Sequence, residues 1–164
     1  TQSGNNNAYC QDNVITWQNW DPDGHRVSFQ KTVSHLIALR KQLPALRPRS
    51  FTTLDEPTLE HDQMLWFSGR GDEMSIEDWH NPERRTIQRL TYHLTSDGSK
   101  QGVLLVVNGT EAIKNVSLPK PEGAKGFELL WDSALELPPE RELALTPGAK
   151  LRMVETSIQL FRVL

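Results

Sequence analysis

Val103-Leu104-Leu105-Val106-Val107 (residues 103–107) is the stretch that decides the fold of this chain. Five consecutive apolar residues form a run that is short for a helix and typical of a β-strand. The run ends at Asn108-Gly109, a dipeptide that favours a hairpin turn. This segment therefore predicts one strand of a β-rich domain.

Similar short runs, apolar or alternating, surround this strand, and each is bounded by Gly, Asn, Asp or Pro. They bring the expected number of strands to about seven or eight, which suits an antiparallel β-sandwich over residues 51–164. Asp97-Gly98 is a further hairpin signal. The other predicted strands are residues 64–67, 90–94, 116–118, 127–131, 143–145, 151–154 and 158–164.

The spacing of the apolar residues is different in the part of the chain that precedes the β-rich part. Between Ser28 and Leu43 apolar side chains recur at helical spacing, which predicts an amphipathic helix. The helix is expected to end at Leu43, because Pro44 disfavours helical geometry in the residue before it. Residues 44–50 are therefore a linker candidate. The apolar stripe consists of Phe29, Val33, Leu36, Ile37, Leu39 and Leu43.

A second, shorter helical turn is expected within the β-rich part, at residues 75–79. Ser75 is its predicted N-cap, and Asp78 completes a capping box three residues later.

Composition narrows the classes of function. With 164 residues, 37% hydrophobic and 24% charged, the chain is expected to fold into one domain, or one domain plus a fragment of another. The net charge is −3 and the basic residues are scattered, so no nucleic-acid partner is expected. No long apolar run and no signal-peptide pattern occurs, so we expect no membrane partner and a cytoplasmic location.

The start at Thr1 rather than Met indicates a piece of a longer protein.

A polar segment near the start of the chain is the candidate binding site. Residues 4–13 are rich in side-chain amides, whose donors and acceptors suit a ligand covered in hydroxyls. Tyr9, Trp17 and Trp20 add flat apolar faces for sugar rings. A loop that caps itself through Asx-type hydrogen bonds is the alternative. The candidate contacts are Asn5, Asn6, Asn7, Tyr9, Gln11, Asp12 and Asn13.

Titratable residues give no convincing catalytic or metal site. Glycoside hydrolysis usually needs two carboxyl groups at a fixed separation, but the carboxylates here occupy turn-like or solvated contexts. His80 has no second His or Cys at ligand spacing, and Cys10 is the single cysteine. We therefore expect no catalytic residue, no metal and no cofactor. The acidic residues weighed are Asp12, Asp21, Asp23, Asp72, Glu73, Glu77 and Asp78.

Several motifs occur in one order along the chain. They are GNNNAYCQDN (residues 4–13), WQNW (17–20), LIALRK (36–41), WF (66–67), GDEM (71–74) and DW (78–79). With them the chain resembles the C-terminal portion of bacterial glycogen debranching enzymes of the isoamylase type, in the α-amylase superfamily. The triple-Asn motif is the most specific of the set.

The resemblance implies a (β/α)₈ catalytic barrel followed by a C-terminal β-sandwich. It also implies hydrolysis of α-1,6 branch linkages in glycogen or limit dextrin by a retaining mechanism, with an α-glucan as the partner. The catalytic carboxylates of that family precede the triple-Asn loop, so this chain alone is expected to be inactive. On this interpretation residues 1–50 are the tail of the barrel, namely a loop and its last helix, and residues 51–164 are the sandwich.

Two other interpretations remain open. In a carbohydrate-binding module without a hydrolase role, Trp66, Trp79 and Trp131 would be exposed and coplanar. Of Trp66, Phe67, Trp79 and Trp131, however, three lie in or beside apolar runs, which favours packing in the core. A protein-interaction sandwich is the third interpretation.

Separation from a barrel would also affect the predicted helix. Its apolar stripe would have to pack on the β-domain or on a second copy, or remain exposed. Self-association of the chain, or a repacked helix, is therefore expected.

Overall fold

Eight strands, two helices and one 3₁₀ turn occur in the described part of the chain. The structure is a computed structural model that describes residues 4, 9–17, 19–21, 23–48, 50–135 and 144–164. The elements are α1 (Gly24–Gln42), the 3₁₀ turn (Pro44–Leu46), β1 (Gln63–Ser68), α2 (Ile76–His80), β2 (Thr86–Leu94), β3 (Lys100–Asn108), β4 (Lys114–Ser117), β5 (Phe127–Asp132), β6 (Ala144–Leu145), β7 (Lys150–Met153) and β8 (Ser157–Val163). The prediction of a mainly β fold is confirmed.

The strands form two antiparallel sheets. Six of them lie in the order β1-β2-β3-β8-β5-β6, and β4 pairs with β7 in a second, smaller sheet. Strands β2 and β3 pair in a continuous register from Thr86↔Asn108 to Leu94↔Lys100. The turn between them contains Asp97-Gly98, as predicted. Strand β3 also pairs with β8, so the apolar run at residues 103–107 lies inside the large sheet.

The main hydrophobic core lies between the two sheets. Leu104 and Val106 of β3 face it and are fully buried, and Val116 and Met153 meet them from the small sheet. Phe127 and Phe161, which are also fully buried, extend this core along the large sheet. The two faces enclose one interior, as a sandwich requires.

Helix α1 covers part of the opposite face of the large sheet. Leu39 and Leu43 of α1 pack with Val103 of β3 and Leu160 of β8. Ala45 of the 3₁₀ turn joins the same cluster and is 1% exposed. The expected linker therefore begins as a packed turn, because its small apolar residues continue the contact that the helix makes with the sheet.

The bounds of α1 follow from its two caps. The helix begins at Gly24, four residues before the predicted Ser28, because the Asp23 carboxylate accepts a hydrogen bond from Arg26 N at 2.8 Å. It ends at Gln42, with Leu43 as C-cap before Pro44, as predicted. Among the described residues, no helix is both long and apolar enough to cross a membrane.

The predicted apolar stripe of α1 divides between two environments. Leu36, Leu39 and Leu43 pack on the sheet. The other three members stay in contact with solvent, with exposed fractions of 65% for Phe29, 37% for Val33 and 49% for Ile37. The helix is thus held by one part of its stripe, and the other part remains uncovered.

Asn108-Gly109 does not form the predicted hairpin. Strand β4, which follows, pairs with β7 in the other sheet, so this connection crosses between the layers. The Asn108 side chain is buried and donates from Nδ2 to Ala112 O at 2.9 Å and to Val154 O at 2.7 Å. Its Oδ1 accepts from the Thr110 hydroxyl at 2.8 Å. The amide therefore ties the crossing loop to the turn before β8.

Packing of α1 on the sheet predicts that alanine substitutions at Leu39 and Ile37, two side chains of equal size, lower the free energy of unfolding by different amounts. Leu39 is 5% exposed, whereas Ile37 is 49% exposed. We expect Leu39→Ala to lower the free energy of unfolding by about 2–5 kcal/mol, because it opens a cavity against β3 and β8. Ile37→Ala, the matched control, is expected to cost about 1 kcal/mol or less. Urea denaturation measures both, and equal losses would contradict the observed packing.

The β2–β3 turn predicts a pH-dependent contribution to stability. The pKa of Asp97 is lowered to about 2 from its ordinary value of 3.8, first by the hydroxyl of Thr95 and then by the backbone N–H and hydroxyl of Ser99. Since the folded pKa is the lower one, this stabilisation is present above pH 3.8 and is lost as the pH falls towards 2.

We therefore expect Asp97→Asn to lower the urea midpoint at pH values near 6, and the difference from the parent chain to shrink towards pH 2. Glu111→Gln, a change at an exposed loop acid, is the control. A midpoint difference for Asp97→Asn that stays constant over the whole pH range would refute the assignment.

Candidate functional site

The predicted binding loop is described only in part. Asn5, Asn6 and Asn7 lie outside the described residues. The remaining candidates, Tyr9, Gln11, Asp12 and Asn13, are all exposed. Tyr9 is 85% exposed, so this aromatic ring is presented to solvent rather than used as core.

A turn centred on Asn13 shapes the described part of the loop. Asn13 O accepts from the backbone N–H groups of Thr16 and Trp17 at 3.0 Å, and Asn13 Oδ1 accepts from Ile15 N at 3.0 Å. The Thr16 hydroxyl bridges back to Gln11 O at 2.8 Å. The Asx-type alternative is therefore correct for the side-chain oxygen of Asn13, because that oxygen is engaged within the loop.

An indole and a carboxylate lie side by side on this turn. Trp17 Nε1 donates to Asp12 Oδ1 at 2.6 Å, and the Trp17 ring is 62% exposed. The bond fixes the ring while leaving its face open. An apolar face next to a carboxylate offers a sugar ring both stacking and a hydrogen-bond acceptor.

Cys10 reverses the chain between two of the exposed candidate residues. Its φ is 59°, in the left-handed region that favours glycine. The conformation turns Tyr9 and Gln11 away from a regular extended path. Sequence reasoning noted Cys10 only as a lone thiol and missed this role, because a positive φ at a non-glycine residue has no local sequence signal.

Arg26, in the first turn of α1, forms hydrogen bonds with the backbone of the segment that contains Asn19 and Asp21. Its Nη1 donates to Asn19 O at 2.8 Å and to Asp21 O at 2.9 Å, on either side of Trp20. Trp20 is 88% exposed. The helix therefore holds the backbone that presents this ring, and sequence analysis did not identify Arg26 because side chain to backbone contacts leave no periodic pattern.

Asp78, which lies two residues before His80 in the sequence, has a structural role. Asp78 Oδ2 accepts from Ser75 N at 3.2 Å, and Ser75 Oγ accepts from Asp78 N at 3.1 Å, which confirms the predicted capping box. Asp78 Oδ1 also lies 2.6 Å from Arg84 Nε. The backbone hydrogen bond from Ser75 is the main factor that lowers the pKa of Asp78, and the Ser75 hydroxyl and Arg84 act in the same direction.

His80 likewise stays within its own helix, with Nδ1 2.7 Å from Ile76 O. Within the ranges that the structure describes, no group of three or more His, Cys, Asp or Glu residues is placed to hold a metal ion.

The three tryptophans of the β-domain do not form a flat platform. The ring centroids of Trp66 and Trp79 are 5.4 Å apart with an interplanar angle of 76°, an edge-to-face contact. Trp79 is 52% exposed, whereas Trp131 is half-buried and packs with the cluster beneath α1. The coplanar surface that a carbohydrate-binding module would need from these rings is therefore not formed.

The described geometry defines a class of protein, namely a β-sandwich domain with a helix packed on one sheet. A polar loop with exposed aromatic rings precedes this helix. Comparison with known proteins then gives the relationship. A glycogen debranching enzyme of Dickeya chrysanthemi is 36% identical over 124 residues, which cover 74% of this chain and 16% of that relative. A glycogen debranching enzyme of Erwinia tasmaniensis is 36% identical over 119 residues, with 73% and 16% covered.

A third relative, the glycogen operon protein GlgX homolog of Haemophilus influenzae, is 38% identical over 88 residues, or 54% of this chain and 12% of the relative. No family model matches the chain. The chain is thus homologous to a part of the bacterial glycogen debranching enzymes, which confirms the resemblance found in its sequence. It spans only about 16% of the length of the first two relatives.

The indole-carboxylate pair predicts a spectroscopic effect. In ¹H–¹⁵N NMR spectra, Asp12→Ala is expected to shift the Trp17 indole N–H resonance and to speed its exchange with water, because the acceptor at 2.6 Å is removed. Asp21→Ala changes an exposed acid of the same loop that does not contact this indole, and is the matched control. An indole resonance that does not respond to Asp12→Ala would show that the pair is absent in solution.

Proposed function

We propose that this chain is the non-catalytic C-terminal part of a glycogen debranching hydrolase. The whole enzyme would cleave α-1,6-glucosidic branch linkages in glycogen or limit dextrin. The observation that carries the proposal is the 36% identity over 124 residues to proteins named glycogen debranching enzyme. We also propose a cytoplasmic location for it, with an α-glucan as its partner.

In this proposal residues 1–50 belong to the end of a (β/α)₈ barrel and residues 51–164 form the C-terminal sandwich. The partial burial of the apolar stripe of α1 supports this division of the chain between a barrel and a sandwich. Leu39 and Leu43 attach the helix to the β-domain, whereas Phe29 and Val33 remain open to solvent. In the longer enzyme the open part of the helix would pack against the barrel.

Exposure of the same surface gives the chain by itself a way to associate. Phe29, Val33 and Ile37 on two copies could cover one another, since burying a large apolar side chain contributes roughly 1.5–3 kcal/mol. Self-association of the isolated chain stays a prediction.

The role proposed for the polar loop is contact with the glucan. At the carboxyl end of a barrel, the loops after the strands form the substrate cleft. A loop at residues 4–13 would then line that cleft, with Asn5, Asn6, Asn7, Tyr9, Gln11, Asp12 and Asn13 acting as a unit. The exposed Trp17 ring, held by Asp12, and the exposed Tyr9 ring support this role.

The rival function is a carbohydrate-binding module in which the β-domain alone holds the glucan. The edge-to-face geometry of Trp66 and Trp79 gives it no flat surface for a sugar ring. The debranching proposal therefore has the stronger support.

The proposal predicts how substitutions act in the full-length enzyme that contains this segment. Trp17→Ala is expected to reduce kcat/KM on glycogen limit dextrin roughly tenfold, because about 1.4 kcal/mol of stacking is lost. Trp79→Ala, at a similarly exposed tryptophan of the β-domain, is expected to leave kcat/KM unchanged. The opposite ranking of the two variants would favour the binding-module function.

The 164-residue chain alone, assayed for release of linear chains from glycogen, is expected to show no turnover. Appreciable turnover by the isolated chain would contradict a non-catalytic role.

A further inference from the structure

A cavity of about 470 Å³ lies where the chain passes from the helix to the large sheet. Three segments line it: Pro44 and Arg47 after α1, a segment before β1 that contributes Leu59, Glu60 and Asp62, and residues 93–96 at the end of β2. Its volume falls within the range of small-molecule pockets, roughly 300–1,000 Å³. None of its lining residues belongs to the polar loop, so the proposed glucan contacts do not account for it.

A carboxylate and an imidazole from distant parts of the sequence meet in this cavity. His93 Nδ1 lies 2.7 Å from Asp62 Oδ1, and the two side chains are 24% and 7% exposed. A carboxylate only accepts, so Nδ1 carries the proton and donates it. In the neutral ring Nε2 then presents a free lone pair, and no described residue donates a hydrogen bond to it. The pair therefore holds a hydrogen-bond acceptor ready for a ligand.

The second carboxylate oxygen of Asp62 is the clearest sign of a missing partner. Oδ2 is buried and has no hydrogen-bond partner in the part of the chain that the structure describes. Leaving a buried polar atom without a partner destabilises the fold, and more so when the atom is charged. Because Oδ2 has no accessible surface, a ligand in the cavity does not contact it directly, and the acceptor that the pair leaves for a ligand is Nε2 of His93.

The rest of the lining favours a neutral ligand with many hydroxyl groups. Arg47 and Glu60 place opposite charges around the cavity, so the lining does not select an anion. Ser96 adds a hydroxyl that both donates and accepts, and Leu59, 70% exposed, adds an apolar surface for the C–H face of a sugar. Alternating polar and apolar contacts of this kind match a pyranose ring.

We propose that this cavity is a second carbohydrate site, which binds a short α-1,4-glucan segment. His93, held by Asp62, accepts a hydrogen bond through Nε2 at its base, and Arg47, Glu60 and Ser96 contact further hydroxyls. The choice of a glucan rests on the proposed function, whereas the cavity and its unpartnered oxygen do not. In the longer enzyme such a site would keep a branched polymer attached outside the catalytic cleft.

The test is a titration of the ¹⁵N-labelled 164-residue chain with maltotriose, followed by NMR. Saturable shifts are expected at residues 59–62 and 93–96. His93→Asn places an amide N–H at the position of Nδ1 and so keeps a donor for Asp62 but removes the Nε2 lone pair, and is expected to weaken binding about tenfold. His80→Ala, an exposed histidine that contacts only its own helix, is the matched control and is expected to bind as the parent chain does.

Two rim variants keep the test decisive if changes at the buried pair disturb folding. Glu60→Gln and Ser96→Ala alter exposed side chains and are expected to weaken maltotriose binding several-fold without changing the urea midpoint. Absence of shifts at residues 59–62 and 93–96, or equal weakening by His80→Ala, would overturn the second site.

The location of the shifts separates this site from the loop. Shifts confined to residues 9–17 would overturn the cavity site and support the loop contacts. Shifts confined to the cavity would support the second site, and the function proposed for the loop would then depend on the Trp17→Ala assay of the full-length enzyme.

Discussion

Burial of β3 on both faces is the constraint on which the rest of the structure depends. Leu104 and Val106 enter the core between the sheets, while Val103 meets α1 on the opposite side with 2% exposure. Strands of antiparallel sheets commonly alternate apolar and polar residues, because one face meets water. A continuous apolar run is stable here because a second sheet covers one face and a helix covers the other.

Buried amide side chains connect the large sheet to the small sheet and its flanking turns. Gln88 is fully buried in β2 and donates from Nε2 to Ser68 O at 2.8 Å and to Ser117 O at 2.9 Å, which joins the edge of the large sheet to the small one. Gly71 permits the same close approach, since its φ is +86° and a Cβ there would lie 2.9 Å from Ser117 O. Together with Asn108, these residues fix where the chain changes sheet.

The loop depends on this packing through a short series of contacts. Leu39 and Leu43 hold α1 against the sheet, and Arg26 in the first turn of α1 holds the carbonyls on either side of Trp20. The turn around Asn13 then orders the backbone that carries Asp12 and Trp17. Rings presented on an ordered backbone lose less conformational entropy on binding than rings on a freely moving loop.

Local rules in the sequence determined most of the elements. Alternation and apolar runs placed the strands, Pro44 ended α1 at Gln42 with Leu43 as its C-cap, and Asp97-Gly98 joined β2 to β3. Ser75 and Asp78 formed the predicted box. Each of these elements depends on the conformational preferences of a few adjacent residues, so the local sequence is sufficient to specify it. For the site, the exposure of Tyr9 and Trp17 followed from the same kind of local reasoning.

Only the tertiary structure decided the contacts between distant residues. Asn108 ends β3 at a crossing between sheets rather than in a hairpin, because its partner Val154 lies 46 positions away. Asp62 and His93, separated by 31 positions, meet only because β1 and β2 pair. The stripe of α1 is periodic throughout, yet the sheet covers only a part of it. Periodicity states which residues can be buried, whereas burial itself depends on where the rest of the chain comes to lie.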